Sequence, residues 1–161
     1  MRAAQATSHA GRLGALLGIA VVSAVAACHS DPTSPPPLSV ADVAGTYALV
    51  SINGHPMPAP YTSSFDVLYD TIALAPNGTW TQWQGGAVAG RTVATDTGRY
   101  AGTWTLDAAN RQVLQRSTDR YGNVTVDTLA VGGRGAMLTF DTSRNNPSGY
   151  NVGPWLYNRV Q

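Results

Sequence analysis

The chain has neither lysine nor glutamate, and it has a single cysteine among its 161 residues. Its ten basic residues are all arginine, and its nine acidic residues are all aspartate. Because Lys and Glu are good helix formers, their absence disfavours a helical fold. One cysteine excludes an intramolecular disulfide bond. Charged residues make up only 12% of the chain and the net charge is +1, so nothing indicates a nucleic-acid partner.

The side chains of common catalytic and metal sites are also scarce. Beyond residue 27 the chain has two histidines, His29 and His55, and no Gly-x-Ser-x-Gly motif that would present a nucleophile. Asp66 and Asp70 stand four residues apart, and we expect both to be solvated surface groups. No cysteine or histidine pair has the spacing of metal ligands. We therefore expect no enzyme activity, no metal site and no cofactor.

The N-terminus is typical of an exported protein. Arg2 and Arg12 flank a segment without acidic residues, and residues 13–27 form an apolar run of fifteen. This run is shorter than the roughly 20 residues of a membrane-spanning helix but has the length of a signal-peptide core. Residues 1–27 are therefore predicted to be a signal peptide.

The apolar run ends in Val25-Ala26-Ala27-Cys28, which resembles the bacterial lipobox. The resemblance implies cleavage before Cys28 and acylation of that residue, whose acyl chains would anchor the protein to the cell envelope. His29 follows in place of the aspartate that favours inner-membrane retention, so the outer membrane is the expected destination in a Gram-negative organism. The alternative is an ordinary signal peptide cleaved nearby, with a cysteine at this position by chance.

Residues 28–41 are predicted to be the acylated cysteine and a tether. Four prolines, at 32 and 35–37, lie among serine and threonine, a composition that favours extended polyproline II over a packed core. At about 3.1 Å per residue, the tether would hold the folded domain, residues 42–161, roughly 30–40 Å from the lipid. Without the signal peptide the chain has eight Arg and nine Asp, a net charge of −1.

From residue 43 onward the sequence alternates between β-branched or aromatic runs and turn residues. The loops between these runs are too short for crossover helices. Short strands at even spacing predict an all-β fold, an antiparallel up-and-down barrel of about eight or nine strands. The expected strands lie near 45–52, 65–75, 78–84, 92–101, 102–107, 112–118, 123–131, 135–141 and 154–160.

The chain also matches itself when it is shifted by 57 residues, with ten identities over 57 aligned positions. A duplication would produce two similar half-barrels, and chance similarity between strands is the alternative. In both copies the apolar alternation changes phase at an Asp-Thr pair, Asp70-Thr71 and Asp127-Thr128. We attribute the change to a β-bulge at each pair, the alternative being strands that are apolar on two faces at their ends.

The whole layout resembles the small bacterial lipocalin-like lipoproteins. The resemblance rests on the lipobox, the Pro-rich tether, the first strand and turn at 44–58 (AGTYALVSINGHPMP), internal Gly-x-aromatic strands, and a closing Leu156-Tyr157-Asn158-Arg159. It covers residues 42–160, with Tyr47 where lipocalins have a tryptophan. It implies a barrel that binds a small apolar or amphipathic molecule.

Aromatic side chains are the candidate ligand-binding groups. Regular alternation is expected to turn them toward the interior, where they would line a pocket: Tyr69, Trp83, Trp104 and Phe140, together with Tyr47 and Phe65. Trp80 shares its strand face with Gln82 and Gln84, so we expect it to be the most exposed aromatic.

The alternative to a ligand pocket is a barrel filled by these aromatic side chains, since a small barrel either is filled or holds one small ligand. A filled barrel would serve as a structural or protein-interaction module through exposed loops at 54–64, 85–91 and 142–150. A cavity of a few hundred cubic ångströms would favour ligand binding.

Closure of the barrel would place the last strand beside the first, with residues 158–160 antiparallel to 45–47. The family resemblance implies that the guanidinium of Arg159 lies over Tyr47, within about 6 Å of the ring centre, with backbone carbonyls taking its remaining donors. The alternative is an Arg159 that points into solvent.

Overall fold

The fold is known from a computed structural model, which describes residues 36–142 and 153–160. Within these residues it has ten strands, a four-residue helix α1 (Val40–Val43) and a single turn of 3-10 helix at Gly133–Gly135. The strands are β1 (Gly45–Ile52), β2 (His55–Pro56), β3 (Ala59–Thr62), β4 (Phe65–Leu74), β5 (Thr79–Val88), β6 (Asp96–Asp107), β7 (Gln112–Thr118), β8 (Val124–Gly132), β9 (Met137–Asp141) and β10 (Pro154–Val160).

Eight of the described strands close an antiparallel barrel. The strands from β4 to β10 pair consecutively, and β1 pairs with both β10 and β4, which leaves no open edge. The short strands β2 and β3 pair with β1 and β4 respectively and lie outside this ring. The predicted fold class is therefore confirmed.

The strand bounds follow the alternation in most places and depart from it in three. The predicted segments 92–101 and 102–107 merge into one continuous strand, β6, which begins only at Asp96. Strand β5 extends to Val88, into the predicted 85–91 loop. The Pro-rich stretch expected to be a loop contains β2 and β3. Proline is compatible with such short edge strands because it has no N–H to donate to a ladder.

The barrel closes where the first and last strands meet, with Tyr47 opposite Arg159 as expected. The Arg159 guanidinium donates to the carbonyl of Asp42 at 2.9 Å and to the carbonyl of Ala44. The predicted position over the Tyr47 ring is wrong: the two cation–π contacts among the described residues involve other arginines. Both carbonyls lie at the C-terminal end of α1, where backbone carbonyls have no partner within the helix and are good acceptors for a guanidinium.

A short plug closes the same end of the barrel. Ser39 caps α1 by accepting from the Asp42 N–H at 3.3 Å, and the Asp42 carboxylate accepts from the Ser39 N–H at 2.9 Å. The side chains of Leu38 and Val43 are buried against the barrel. The packed domain therefore begins four residues before the expected start at 42, and the last part of the predicted tether is included in it.

The β-bulge in β4 lies between Val67 and Tyr69, not at the predicted Asp70-Thr71 pair. The predicted bulge in β8 is wrong, because β8 pairs without a register shift along its whole length. Val124 and Val126 are consequently 46% and 55% exposed, where the predicted phase had them inside. Asp127 is turned inward instead, on the face of the buried Leu129.

The 57-residue shift superimposes matching elements. It aligns β1 with the second half of β6, β4 with β8, β5 with β9, and the first half of β6 with β10. The β2–β3 stretch aligns with β7. Gly78 and Gly135, which the shift aligns, have φ values of +82° and +84° and so adopt the same left-handed turn conformation. The duplication itself stays a prediction.

Several predictions concern other parts of the chain. The signal peptide at 1–27, Cys28 and residues 143–150 of the predicted loop lie outside the described residues. Among the residues that the structure describes, no helix is long and apolar enough to cross a membrane.

Candidate functional site: a cup in the barrel interior

One end of the barrel interior, next to α1, is filled by side chains. We call this the closed end, and its core includes Tyr47, Leu74, Trp104, Val113 and Leu138. The Tyr47 hydroxyl lies 2.6 Å from the Val43 carbonyl and 2.8 Å from the Gly135 carbonyl, and the Trp104 Nε1 donates to the Ala75 carbonyl at 2.9 Å. These bonds satisfy the polar atoms of the two large rings inside an otherwise apolar core.

The other half of the interior is a cavity of about 590 Å³, which we call the cup. Gly86, Gly98 and Ser117 contribute little side-chain volume to its wall. The expectation that the interior would be either filled or open is therefore wrong, since each half does one of the two. The cup is lined by Tyr61, Phe65, Val67, Trp80, Gln82, Gln84, Gly86, Asp96, Thr97, Gly98, Tyr100, Ser117, Thr125, Asp127, Phe140, Thr142, Trp155 and Tyr157.

One wall of the cup is aromatic. Phe140 and Trp155 are cross-strand neighbours on β9 and β10. The Tyr61 ring meets the Trp155 ring edge to face, with 5.7 Å between centroids. Phe65 lies over Gly86, where an added Cβ would come within 2.3 Å of its ring. This wall offers flat apolar surface to a ligand.

The floor of the cup contains a buried aspartate. Asp70 is 2% exposed, and its Oδ2 accepts from Gln82 Nε2 at 2.7 Å and from the Tyr157 hydroxyl at 3.1 Å. Both donors line the cup, so the Asp70 carboxylate lies directly behind its wall. Its Oδ1 has no hydrogen-bond partner. Burial raises the pKa of Asp70 to about 6, and burial beside this carboxylate raises the pKa of Tyr157 well above its ordinary value.

A second aspartate lies in the wall itself. Asp127 on β8 lines the cup opposite Gln115 of β7, and partial burial raises the pKa of its carboxyl group. Gln115 is 4% exposed and its Nε2 has no partner. The Trp155 Nε1 is likewise buried and unpartnered. Buried polar atoms without partners are rare in folded proteins. Trp155 lines the cup, and Asp70 and Gln115 lie next to residues that line it.

Among the described residues that line the cup, the charged groups are all acidic. Asp96 and Asp127 line it, and Asp70 lies behind it, whereas its lining residues include no arginine or histidine. Arg99 and Arg116, on the neighbouring strands, have exposed side chains. The cup is thus a negatively charged chamber with one aromatic wall.

The structure separates the four aromatic residues predicted to bind a ligand. Phe140 lines the cup, whereas Trp104 belongs to the filled core of the closed end. Tyr69 and Trp83 lie on the outer face, where their rings meet edge to face at 5.7 Å. The prediction that these two point inward is wrong, because the bulge after Val67 reverses the phase of β4 and its partner β5 follows it.

The errors for Trp83 and Trp80 have one cause, since both follow from assigning the inner and outer faces of β5 the wrong way round. Trp83 is 50% exposed and carries Arg99 at 5.0 Å from its ring centroid, while Trp80 is 4% exposed and its Nε1 donates to the Arg116 carbonyl at 3.3 Å. The prediction of an exposed Trp80 is therefore wrong. Gln82 and Gln84 suggested a solvated face, but they face the polar cup.

The expectation that Asp70 is a solvated surface group is wrong, since its side chain is 2% exposed. Sequence reasoning also missed Gln115 and Asp127 as interior groups. The available signal was the alternation with buried neighbours: Asp127 stands two residues before Leu129, and Gln115 stands two after Val113. Among the described residues, no three His, Cys or Asp side chains come together as a metal site would require. No protein-family model, curated protein or solved structure matches this chain.

Proposed function

We propose that this chain is a lipid-anchored protein of the bacterial cell envelope that binds a small amphipathic molecule in its cup. The observation that supports binding is the cavity of about 590 Å³, which has the volume of typical small-molecule sites. The lipocalin-like layout of the sequence supports the same function. The proposal assigns binding and no catalysis.

The chemistry of the cup supports an amphipathic rather than a purely apolar ligand. Its aromatic wall of Phe65, Phe140 and Trp155 suits a ring or a short alkyl chain. The unpartnered Trp155 Nε1 lies in that wall, and polar groups such as Gln82 and Asp127 line the rest of the cup. A ligand with one apolar and one polar end would bury the first and pair the second, which is how small-molecule sites obtain both affinity and orientation.

Native mass spectrometry of the protein purified from its own host tests ligand binding. We expect a bound species that is heavier than the polypeptide and its acyl chains, and whose extra mass is lost on denaturation. Only unliganded protein, from preparations made without harsh extraction, would contradict the proposal.

Two threonines of β8 provide matched variants for this measurement. Thr125 lines the cup, and Thr128 is exposed on the outer face of the same strand. Thr125→Trp is expected to fill the cup and abolish the extra mass, whereas Thr128→Trp should retain it. Equal retention by both variants would place the ligand elsewhere on the protein.

The membrane anchor rests on Cys28 and needs its own test. The wild-type chain should partition into detergent and incorporate labelled palmitate in its host, and Cys28→Ser should do neither. Labelling that persists in the variant would refute acylation at Cys28 while leaving the cup unaffected.

A protein-interaction role is the second candidate, and it has an observation of its own. The outer face of β4, β5 and β6 has a groove of about 750 Å³ that includes Thr81, Trp83 and Arg99. The Trp83 side chain is 50% exposed. If this groove is the functional surface, Trp83→Ser should abolish recovery of a partner from envelope extracts, and Thr125→Trp should not.

A further inference from the structure

Among the residues that the structure describes, the cup has acceptors for a positive charge and no cationic side chain in its lining. The carboxylate of Asp127 lines the cavity, and no hydrogen bond or ion pair to it is made by any described residue. No arginine is among the described residues that line the cup. A partly buried carboxylate without a partner is costly to keep, so its environment is suited to an incoming cation.

A second, independent group points in the same direction. Asp70 is 2% exposed, and its Oδ1 has no partner although Oδ2 has two. Both donors to Oδ2, Gln82 and Tyr157, are uncharged. The Thr71 backbone N–H, which also interacts with this carboxylate, is uncharged as well. The negative charge of Asp70 is therefore not neutralised by the groups that bind it, and its electric field reaches the cup through the cup wall.

The unpartnered donors do not decide the charge of the ligand. Gln115 Nε2 and Trp155 Nε1 would be satisfied by any acceptor, such as a hydroxyl oxygen. A neutral polar ligand could satisfy these two atoms, but it would leave the carboxylates of Asp127 and Asp70 without a counter-charge. An anionic ligand would be repelled by both.

We propose that the cup binds a protonated amine with an aromatic or short alkyl group, its ammonium paired with Asp127 and its apolar part against Phe140 and Trp155. This inference rests on the proposed function, because it specifies the ligand of the same cavity. The ammonium has three donors, so it could pair with the Asp127 carboxylate and still bond to the side-chain oxygen of a glutamine such as Gln82.

A set of three probes of similar shape tests the charge preference by calorimetric titration at neutral pH: 2-phenylethylamine, 2-phenylethanol and phenylacetate. We expect the amine to bind about tenfold or more tightly than the alcohol, because a charge-assisted hydrogen bond is added, and phenylacetate to bind weakest. An alcohol or phenylacetate that binds as tightly as the amine would overturn the proposal but leave ligand binding in place.

Two Asp→Asn variants identify the counter-ion. Asp127→Asn should lose the preference for the amine, with its affinity for the alcohol unchanged, which also shows that the cup is intact. Asp66→Asn removes an equal charge from the outer face of β4, where Asp66 accepts from the Gly90 N–H at 3.0 Å, and it should retain the preference. Equal amine binding by wild type and Asp127→Asn would overturn the assignment of Asp127.

Different experimental results would refute the amine proposal and the proposed function. If none of the three probes binds at concentrations up to about 10 mM, the amine proposal is overturned. Ligand binding as such is then decided by the mass measurement on the protein from its own host. An extra mass that belongs to a neutral or anionic compound would support the cup while overturning the amine.

Discussion

Replacing Asp70 by asparagine should change how the stability of the barrel depends on pH. The buried carboxyl of Asp70 has its pKa raised from 3.8 to about 6, chiefly because burial disfavours the charged form. The folded protein therefore binds this proton more tightly than the unfolded chain does. Its stabilising contribution is fully present below pH 3.8 and is lost as the pH rises through about 6.

The size of the effect follows from the shift. One pKa unit corresponds to about 1.4 kcal/mol, so ionising Asp70 in the folded state costs about 3 kcal/mol relative to the unfolded chain. The amide introduced by Asp70→Asn cannot ionise, and its side-chain oxygen can still accept from Gln82 and Tyr157. The unfolding free energy of Asp70→Asn minus that of the wild type should thus rise by about 3 kcal/mol between about pH 3 and pH 8.

Urea unfolding of both proteins, followed by tryptophan fluorescence across this pH range, measures that difference. Asp119→Asn serves as a control of opposite sign, because hydrogen bonds from Asn123 lower the pKa of the exposed Asp119 carboxyl. Its stabilisation is present above the ordinary pKa and is lost as the pH falls. A difference between Asp70→Asn and wild type that stays constant with pH would refute the account of Asp70 as an uncompensated buried acid.

Three further predictions concern the packing of the barrel. An added Cβ at Gly102 would lie 1.9 Å from the Arg116 carbonyl oxygen, so Gly102→Ala should lower the free energy of unfolding by about 3 kcal/mol. Gly122 has φ +85° and open space around it, so Gly122→Ala should cost only about 1 kcal/mol. Equal melting temperatures of the two variants would contradict this. Tyr47→Phe should cost about 1–2 kcal/mol in urea unfolding, because buried carbonyls lose their donor. Arg159→Ala should also lower the free energy of unfolding. The double variant Arg159→Ala/Tyr47→Ala should lose less stability than the sum of the two single variants, because both side chains bond to carbonyls of α1. Additive losses of stability would show that the two side chains act independently.

The strand pattern was predictable because it depends on local alternation. The bounds of β1, β7 and β10 agree with those expected from the sequence, and the pairing of the first and last strands follows once the barrel closes. Turn glycines and β-branched runs specify these features without reference to distant residues.

The contents of the interior were harder to predict, because they depend on a single inserted residue. The bulge after Val67 decides that Asp70 points inward and Tyr69 outward, and a shift of one residue exchanges the two faces of a strand. Polar residues on an inward face also mislead: Gln82 resembles a surface residue until it is seen to bond Asp70. Because half of the barrel interior is polar, the alternation of apolar and polar residues does not identify the inward face of each strand.

The cavity itself has no signature in local sequence. It exists because small residues from different strands, among them Gly98 and Ser117, lie around the same space. The plug at the closed end is similarly non-local, since Leu38 lies in a Pro-rich stretch and is buried only because the barrel end is there to receive it.

The central claim is that small molecules bind inside the cup, and the indole resonances of the protein test it most directly. The chain has four tryptophans. The Trp155 Nε1 is unpartnered at the cup, the Trp104 Nε1 is bonded to Ala75 in the closed end, and Trp83 lies on the outer face. In heteronuclear NMR spectra recorded with a library of small amphipathic molecules, binding compounds should shift the Trp155 indole peak and leave those of Trp104 and Trp83 in place. A library in which no compound moves the Trp155 peak, or in which the shifts concentrate on Trp83, would contradict the claim.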